Sequence, residues 1–242
     1  MSDHALAAHL ATEAGLLLLD VRSELADAPA AQRKAEGDRR SHEFLMAELA
    51  RARPGDAVLS EEGADDPARL TAQRVWIVDP LDGTREFSEP DRDDWAVHVA
   101  LWSDGELIAG AVALPAQGVT LATPAVPAPP EPPDTPRILV SRTRPPAVAQ
   151  QVADRLHGTL VEMGSAGAKV AAVVQGRAEV YVHAGGQYEW DSAAPVAVAR
   201  AAGLHTSRID GTPLRYNHAD PLLPDLLVCR PQYADAVLAV LR

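Results

Sequence analysis

One ten-residue stretch, VWIVDPLDGT at residues 75–84, constrains this chain more than any other. Its first four residues are apolar and mostly β-branched or aromatic, a pattern that predicts a buried strand. Asp79 follows directly, and Pro80 is expected to end the strand because proline has no N–H to donate to a sheet. Asp82 and a glycine–threonine pair come next. The strand therefore delivers two carboxylates, a glycine and a hydroxyl to one point.

This arrangement predicts a site for Mg²⁺ and phosphate. Hard cations prefer oxygen ligands, and Mg²⁺ is usually shared between one or two carboxylates and substrate phosphates. Gly83 would let the backbone approach a ligand closely, and the N–H groups that open a helix favour an anion. The alternative is an ordinary hairpin turn, which Asp-Gly often forms. We assign the hairpin role to Asp104-Gly105, which lies between apolar runs at 95–102 and 107–114 that can pair as strands. Asp82-Gly83 differs, because the residues that follow it are polar and offer no partner strand.

The composition excludes several classes of function. The 242 residues carry a net charge of −12, which argues against non-specific nucleic-acid binding because that requires a basic face. A phosphorylated substrate would have to be drawn in by bound cations and a few local bases. The single cysteine, Cys229, excludes an internal disulfide and a cysteine zinc site. The N-terminus has no basic region and Asp20 interrupts its leucine run, so we expect no signal peptide, no membrane span and a cytoplasmic protein.

A second predicted strand in the first half of the chain also ends in acidic residues. Apolar spacing predicts helices over 4–25 and 37–51, with Asp38 as the N-cap or a first-turn acid of the second helix. A short strand over 57–59 ends at Glu61-Glu62, although paired glutamates are usually only solvated. Two strands that end in acids make convergence on one site plausible.

The second half is predicted to form another lobe. Residues 123–136 are half proline, which predicts an extended connection between lobes 1–122 and 137–242. The run from Gly164 to Lys169 lacks the P-loop spacing, and its glycines would either hold a phosphate or allow close helix packing. Asp191 is expected at the N-cap of a helix over 192–202, where it could also ligate a metal. The other predicted strands are 137–140, 179–183 and 226–229, and the other helices 148–156, one ending near 175, and 233–241.

Three motifs together resemble those of the inositol monophosphatase superfamily, which comprises lithium-sensitive, Mg²⁺-dependent phosphatases. They are Glu61-Glu62, Asp79-Pro-Leu-Asp82-Gly-Thr84 and Trp190-Asp191-Ser-Ala-Ala, in the family's order. Four further features are similar to the CysQ branch, which hydrolyses 3′-phosphoadenosine 5′-phosphate: Arg85-Glu86-Phe87, Ser141-Arg142, the Gly-Ser…Lys169 run and Glu189 before Trp190. Two features depart from the family pattern: Pro195 stands where the family usually has glycine, and the loop between the lobes has an unusual composition. Both concern the substrate assignment more than the chemistry.

The resemblance implies an α/β fold of five layers, α-β-α-β-α, with two or three Mg²⁺ ions per site and inhibition by Li⁺. The implied ligands of the first ion are Glu61, Asp79 and the Leu81 carbonyl, and those of the second are Asp79, Asp82 and Asp191. Asp38 and Thr84 would orient the attacking water, with a third, weaker ion beside Glu61, and the N–H groups of Gly83 and Thr84 would hold the scissile phosphate.

The implied reaction is hydrolysis of 3′-phosphoadenosine 5′-phosphate to AMP and phosphate, linked to sulfate assimilation. Arg85, Arg142 and Lys169 are candidates for the non-reacting phosphate, and Ser165 and Glu189 for other substrate contacts. Inositol 1-phosphate and fructose 1,6-bisphosphate remain as alternative substrates. The expected partner is a small phosphorylated nucleotide or sugar, and neither nucleic acid nor a membrane is expected. The oligomeric state is left open between a monomer and a homodimer.

Two other classes of protein are disfavoured. Pro80-Leu81 breaks the spacing of an EF-hand loop, which argues against a Ca²⁺-binding module. A nucleotide-binding pseudo-enzyme is disfavoured because every ligand-type residue is present.

Overall fold

Two five-stranded sheets organise the part of the chain that the computed structural model describes, residues 1–143 and 145–241. The first sheet contains, side by side, β1 (Ala57–Ser60), β2 (Arg74–Asp82), β3 (Ala96–Ser103), β4 (Glu106–Leu114) and β5 (Val119–Ala122). The second contains β6 (Arg137–Ser141), β7 (Thr159–Met163), β8 (Val180–Tyr188), β9 (His205–Ser207) and β10 (Leu222–Cys229), in the order β7-β6-β8-β10-β9. The helices are α1 (Asp3–Glu24), α2 (Ala30–Ala52), α3 (Thr84–Ser88), α4 (Ala147–Leu156), α5 (Ala166–Val174), α6 (Glu189–Ala201) and α7 (Pro231–Leu241).

The helices form layers outside and between the sheets. Helices α1 and α2 cover the outer face of the first sheet, and α4 and α7 cover the outer face of the second. Helices α5 and α6 lie between the sheets, and their alanine and valine side chains pack against both. The expected five-layer α-β-α-β-α order is confirmed. No helix among the described residues is long and apolar enough to cross a bilayer.

The turn at Asp104-Gly105 is the predicted hairpin. Both residues have positive φ, 51° and 91°, as a two-residue type I′ turn between twisted strands requires. It joins β3 to β4, and β3 in turn pairs antiparallel with β2. The hairpin thus places two strands alongside the one that ends in the acids.

The prediction that α2 begins near residue 37 is wrong, since the helix starts at Ala30. Its buried stripe begins with Gly37 and Ser41, which carry no hydrophobic signal, and only then continues with Leu45 and Leu49. A Cβ at Gly37 would lie 2.7 Å from the Phe87 ring, so the small residue is what lets α3 pack there. Asp38 therefore lies inside the helix and is not its N-cap.

The prediction that Pro80 ends the strand is also wrong, because β2 continues to Asp82. Pairing with β1 stops at Val78, and pairing with β3 is shifted by a bulge between Asp79 and Asp82. No ladder bond therefore requires the N–H that proline lacks. The Pro80 carbonyl accepts a hydrogen bond of 2.7 Å from Ser41 Oγ.

Helix α6 begins three residues earlier than predicted, so Asp191 is its third residue and not its N-cap. The Asp191 carboxylate accepts a 2.6 Å hydrogen bond from the backbone N–H of Tyr188, the actual N-cap. An acid is favoured at either position because the first turn has unpaired N–H groups. Gly203 follows the helix with φ 79°, as expected for its end.

Candidate active site

Three carboxylates from distant parts of the sequence meet at one end of the first sheet. Asp79 and Asp82 come from the bulged end of β2, and Asp191 comes from the first turn of α6, which packs on the same strands. One carboxylate oxygen of each lies within 4.8 Å of the other two. Three oxygen donors this close suit a hard divalent cation such as Mg²⁺ or Ca²⁺.

Glu61 brings a fourth acid to the cluster. Strands β1 and β2 are parallel neighbours, so their carboxyl ends lie at the same edge of the sheet. The Glu61 N–H donates to the Val78 carbonyl at 3.4 Å, just beyond the last strand pair. Burial and repulsion from Asp191 raise the pKa of the Glu61 carboxyl to about 7, and contact with Asp79 opposes this. The sequence-based expectation that two acid-ended strands converge agrees with this geometry.

The pKa values of the three aspartates differ because their surroundings differ. Burial, followed by repulsion from Glu61 and Asp82, raises the pKa of Asp79 well above its usual value. Burial and repulsion from Asp82 raise the pKa of Asp191 to about 6. Burial also works to raise the pKa of Asp82, but His98, Ser165 and Gly167 outweigh it and lower the value to about 2. Of the three aspartates, Asp82 therefore has the most strongly stabilised negative charge.

The N-terminus of α5 holds the Asp82 carboxylate. Oδ2 accepts from Ser165 Oγ at 2.5 Å and from the Gly167 N–H at 2.6 Å, and Oδ1 accepts from the Ala166 N–H at 3.2 Å. These donors are the unpaired groups of the first helical turn. The sequence left two roles open for the glycine-rich run at 164–169, phosphate binding and close helix packing. In the structure, N–H groups of this run donate hydrogen bonds to the Asp82 carboxylate.

His98 is a site residue that the sequence analysis missed. It lies fully buried on β3 with Nε2 3.2 Å from Asp82 Oδ2 and Nδ1 3.0 Å from the Trp190 carbonyl. It therefore connects the end of β2 to the start of α6. The available signal was a lone histidine inside the apolar run of β3, which commonly marks a buried partner of a polar group.

We predict that Gly167→Ala destabilises the protein. A Cβ at this position would lie 1.9 Å from His98 Nε2, so the backbone of α5 would have to move away from Asp82. Overpacking of this kind costs about 1–3 kcal/mol, or roughly 2–12 °C in melting temperature for a domain of this size. Thermal melts measure the effect, with Gly55→Ala as the control, since nothing lies within 4 Å of a Cβ there. Equal melting temperatures for both variants would contradict this packing.

Asp38 and Thr84 lie together at the edge of the cluster. Thr84 Oγ1 donates to the Leu81 carbonyl at 3.1 Å and lies 3.5 Å from Asp38 Oδ1. Burial, with the charge of Glu62, raises the pKa of Asp38 to about 7, although the Thr84 hydroxyl opposes this. Thr84 is the first residue of α3, and Gly83 before it has φ 84°, a conformation that glycine adopts without strain.

The candidate residues for the second phosphate line a cavity of about 240 Å³ beside Gly83 and Thr84. Arg85 is exposed there, whereas Arg142 is ion-paired with Glu86 at 2.8 Å and with Glu89 at 2.9 Å. Ser165 and Lys169 also line it.

Lys169 and Glu189 are engaged with their own neighbours. Lys169 Nζ donates to the carbonyls of residues 163–165 at 2.7–3.4 Å, and burial lowers its pKa. The fully buried Glu189 carboxylate accepts from the backbone N–H groups of Asn217 and His218 at 2.7 and 2.8 Å. Glu189 is thus turned to the 217–218 loop rather than to the cavity.

The raised pKa values predict how the metal-free protein responds to pH. Glu61 and Asp191 hold protons in the folded state near pH 6–7 that they lose in the unfolded chain. Stability should therefore rise as pH falls from about 7.5 to 5.5, through the folded pKa values, because protonation removes buried negative charge and the repulsion between the carboxylates. Melts of EDTA-treated protein measure this, and Asp191→Asn should flatten the slope. A melting temperature that rises with pH across this window would contradict the cluster.

Comparison with known proteins identifies the chain's relatives. Residues 3–126 and 135–241 match the model of the inositol monophosphatase family. The 3′-phosphoadenosine 5′-phosphate phosphatase of Mycobacterium tuberculosis is 55% identical over 95% of this chain and 89% of its own length. The 3′(2′),5′-bisphosphate nucleotidase CysQ of Escherichia coli is 33% identical over 85% of this chain and 86% of its own.

Solved structures share the fold. Inositol monophosphatase II of Staphylococcus aureus superposes with a TM-score of 0.80 at 20% identity, over 96% of this chain and 91% of its own. CysQ of Bacteroides thetaiotaomicron superposes with a TM-score of 0.75 at 28% identity, over 93% and 96% of the two chains. The staphylococcal enzyme has also been crystallised with 2′-AMP and with inositol monophosphate bound.

Proposed function

Because the chain belongs to the inositol monophosphatase family, we propose that it is a metal-dependent phosphatase that hydrolyses 3′-phosphoadenosine 5′-phosphate to AMP and phosphate. The observation that carries the proposal is the meeting of Asp79, Asp82 and Asp191 within 4.8 Å, in a chain more than half identical to phosphatases of that substrate. The proposal also includes a role in sulfate assimilation, the process to which hydrolysis of this substrate is linked.

The donor set fits Mg²⁺. Carboxylates about 5 Å apart repel by about 3 kcal/mol per pair at an effective dielectric of 20, and burial together with this repulsion raises the pKa values of Glu61 and Asp191. A cation relieves the repulsion. We assign Glu61, Asp79 and the Leu81 carbonyl to one ion, and Asp79, Asp82 and Asp191 to the other. A third, weaker ion beside Glu61 and inhibition by Li⁺ complete the proposal.

The chain's own residues would position the reactants. Mg²⁺ ions held by these carboxylates would lower the pKa of a bound water and neutralise charge on the departing oxygen. Asp38 and Thr84 would together orient the attacking water, since the Asp38 carboxylate and Thr84 Oγ1 lie 3.5 Å apart and the carboxylate can accept a hydrogen bond from that water. The N–H groups of Gly83 and Thr84 donate to the scissile phosphate from the start of α3.

The cavity beside α3 would receive the non-reacting phosphate. Arg85, Arg142 and Lys169 supply its positive charge, and Ser165 Oγ lies at the same wall. Glu86 and Glu89 fix the Arg142 guanidinium at the cavity edge through two ion pairs. Glu189 would act as a positioning residue, because it secures the first turn of α6 two residues before Asp191.

A side-by-side phosphate-release assay tests the substrate. With Mg²⁺ present, we expect 3′-phosphoadenosine 5′-phosphate to have a kcat/KM at least about tenfold above AMP, inositol 1-phosphate and fructose 1,6-bisphosphate. That ratio corresponds to about 1.4 kcal/mol of preferential transition-state binding. A preference for either sugar phosphate would contradict the nucleotide assignment and leave the phosphatase chemistry in place.

A further inference from the structure

His98 on β3 lies directly behind the acidic cluster. It is the cross-strand partner of Asp79, its side chain is fully buried, and its Nδ1 lies 3.9 Å from Asp79 Oδ2. Nε2 lies 3.2 Å from Asp82 Oδ2, and Nδ1 lies 3.0 Å from the carbonyl of Trp190, the residue before Asp191. The imidazole ring therefore adjoins both segments of the chain that supply the clustered aspartates.

The bond to Trp190 fixes the orientation of the imidazole ring. A carbonyl oxygen only accepts hydrogen bonds, so Nδ1 carries a proton and donates it. Nε2 is thereby directed at Asp82 Oδ2, which also accepts from Ser165 Oγ and from the Gly167 N–H. Oδ1 accepts, among the described residues, only from the Ala166 N–H at 3.2 Å. Oδ1 is therefore the oxygen of this aspartate that is left for a cation.

The first turn of α6 needs support from outside the helix. Pro195 has no N–H, so the Asp191 carbonyl four residues earlier receives no helical hydrogen bond. This bond is missing from the same turn that carries the Asp191 carboxylate. His98 binds the preceding carbonyl, that of Trp190, from a strand that packs on the helix. The strand and the helix are thus joined where the hydrogen bonding of the helix is incomplete.

Close packing leaves the ring little room to move. A Cβ at Gly167 would lie 1.9 Å from His98 Nε2, so the first turn of α5 lies directly against the imidazole. The ring is held between the end of β2, the start of α5 and the start of α6. A side chain locked by packing on three sides can fix the positions of the groups that it contacts.

We propose that His98 is a positioning residue that sets the separation of Asp82 and Asp191, and thereby the affinity of the metal ion assigned to the three aspartates. The inference rests on the proposed metal-dependent function. Groups that orient metal ligands without touching the metal typically contribute about ten- to a hundredfold to its affinity. The other ion, whose assigned ligands include Glu61 in place of Asp82 and Asp191, should keep its affinity.

Mn²⁺ titration followed by electron paramagnetic resonance tests this role without turnover, because free and bound Mn²⁺ give different signals. His98→Asn places an amide nitrogen where Nδ1 stands and keeps the bond to Trp190. His98→Gln places one where Nε2 stands and keeps the contact with Asp82. His98→Leu removes both contacts, and if it fails to fold, the two amide variants still provide the test. His9→Gln is the matched control, because His9 is an exposed residue of α1 that lies 3.9 Å from Glu13.

We expect the wild type and His9→Gln to bind two Mn²⁺ ions tightly. His98→Leu should bind one of them about ten- to a hundredfold more weakly, the amide variants should show a smaller loss, and the other ion should bind as in the wild type. A higher Mg²⁺ concentration should then restore the kcat of both amide variants, because lost affinity limits them. A merely structural role would lower the melting temperature without changing the Mg²⁺ requirement.

Two results would overturn the role of His98: Mn²⁺ affinities that are unchanged in both amide variants, or equal weakening of both ions. Either result, beside robust hydrolysis of 3′-phosphoadenosine 5′-phosphate by the wild type, refutes the positioning role alone. Selective loss of one ion in the His98 variants, without hydrolysis of that substrate by the wild type, supports the positioning role and refutes the proposed function alone.

Discussion

Asp79→Asn is expected to lower phosphatase turnover by about a thousandfold or more while raising the melting temperature of the metal-free protein. Asp79 is the carboxylate assigned to both ions, and loss of metal-assisted charge stabilisation is worth several kcal/mol in the transition state. Each 1.36 kcal/mol is a factor of ten in rate. The metal-free protein should gain stability because the pKa of Asp79 is raised by burial and by Glu61, so a neutral amide replaces a charge that the site disfavours.

The geometry favours this substitution over the equivalent one at Asp82. The Asp79 carboxylate makes one backbone contact, a 3.0 Å hydrogen bond from the Leu81 N–H to Oδ1, which an asparagine oxygen can still accept. Asp82→Asn would instead turn an NH₂ group toward the donors of α5, so that lost activity and lost structure would be mixed. Turnover of Asp79→Asn within tenfold of wild type would contradict its assignment as a metal ligand.

Mg²⁺ is expected to raise the melting temperature of the wild type by roughly 5–10 °C at a hundred times its Kd. A ligand that binds only the folded state at that concentration contributes about 2.7 kcal/mol, and each kcal/mol shifts a domain of this size by about 2–4 °C. Affinity should weaken below pH 6, because protons on Glu61 and Asp191 compete with the cation.

Asp191→Asn is the matched variant for this measurement. It removes one carboxylate from the cluster but keeps an oxygen that can accept from the Tyr188 N–H, so the start of α6 should remain in place. We expect differential scanning calorimetry to show most of the Mg²⁺ shift lost. An equal Mg²⁺ shift in both proteins would mean that the cation binds elsewhere.

The features that follow from local sequence were predictable. Asp79, Asp82 and Thr84 are delivered by the end of a single strand, and the Asp104-Gly105 hairpin needs only a turn with positive φ. The convergence of Glu61 with them follows from two parallel strands that end at one edge of the sheet.

The features that depend on tertiary approach were not predictable from pattern. Asp38 sits inside a helix whose buried stripe begins with Gly37, which has no hydrophobic side chain to reveal it. His98 could be assigned a partner only once β3, α5 and α6 were known to meet around Asp82. The continuation of β2 through Pro80 likewise depends on where its neighbours stop pairing. Only the family resemblance connected Asp38 to the site.

The most direct test of the acidic cluster is a crystal structure of the protein soaked with Mn²⁺, read as an anomalous difference map at the manganese edge. We expect two peaks between the carboxylates of Asp79, Asp82 and Asp191, roughly 4 Å apart as in two-metal sites, with Glu61 turned toward one of them. A map without a peak among these three side chains, at a Mn²⁺ concentration that supports turnover, would contradict the account.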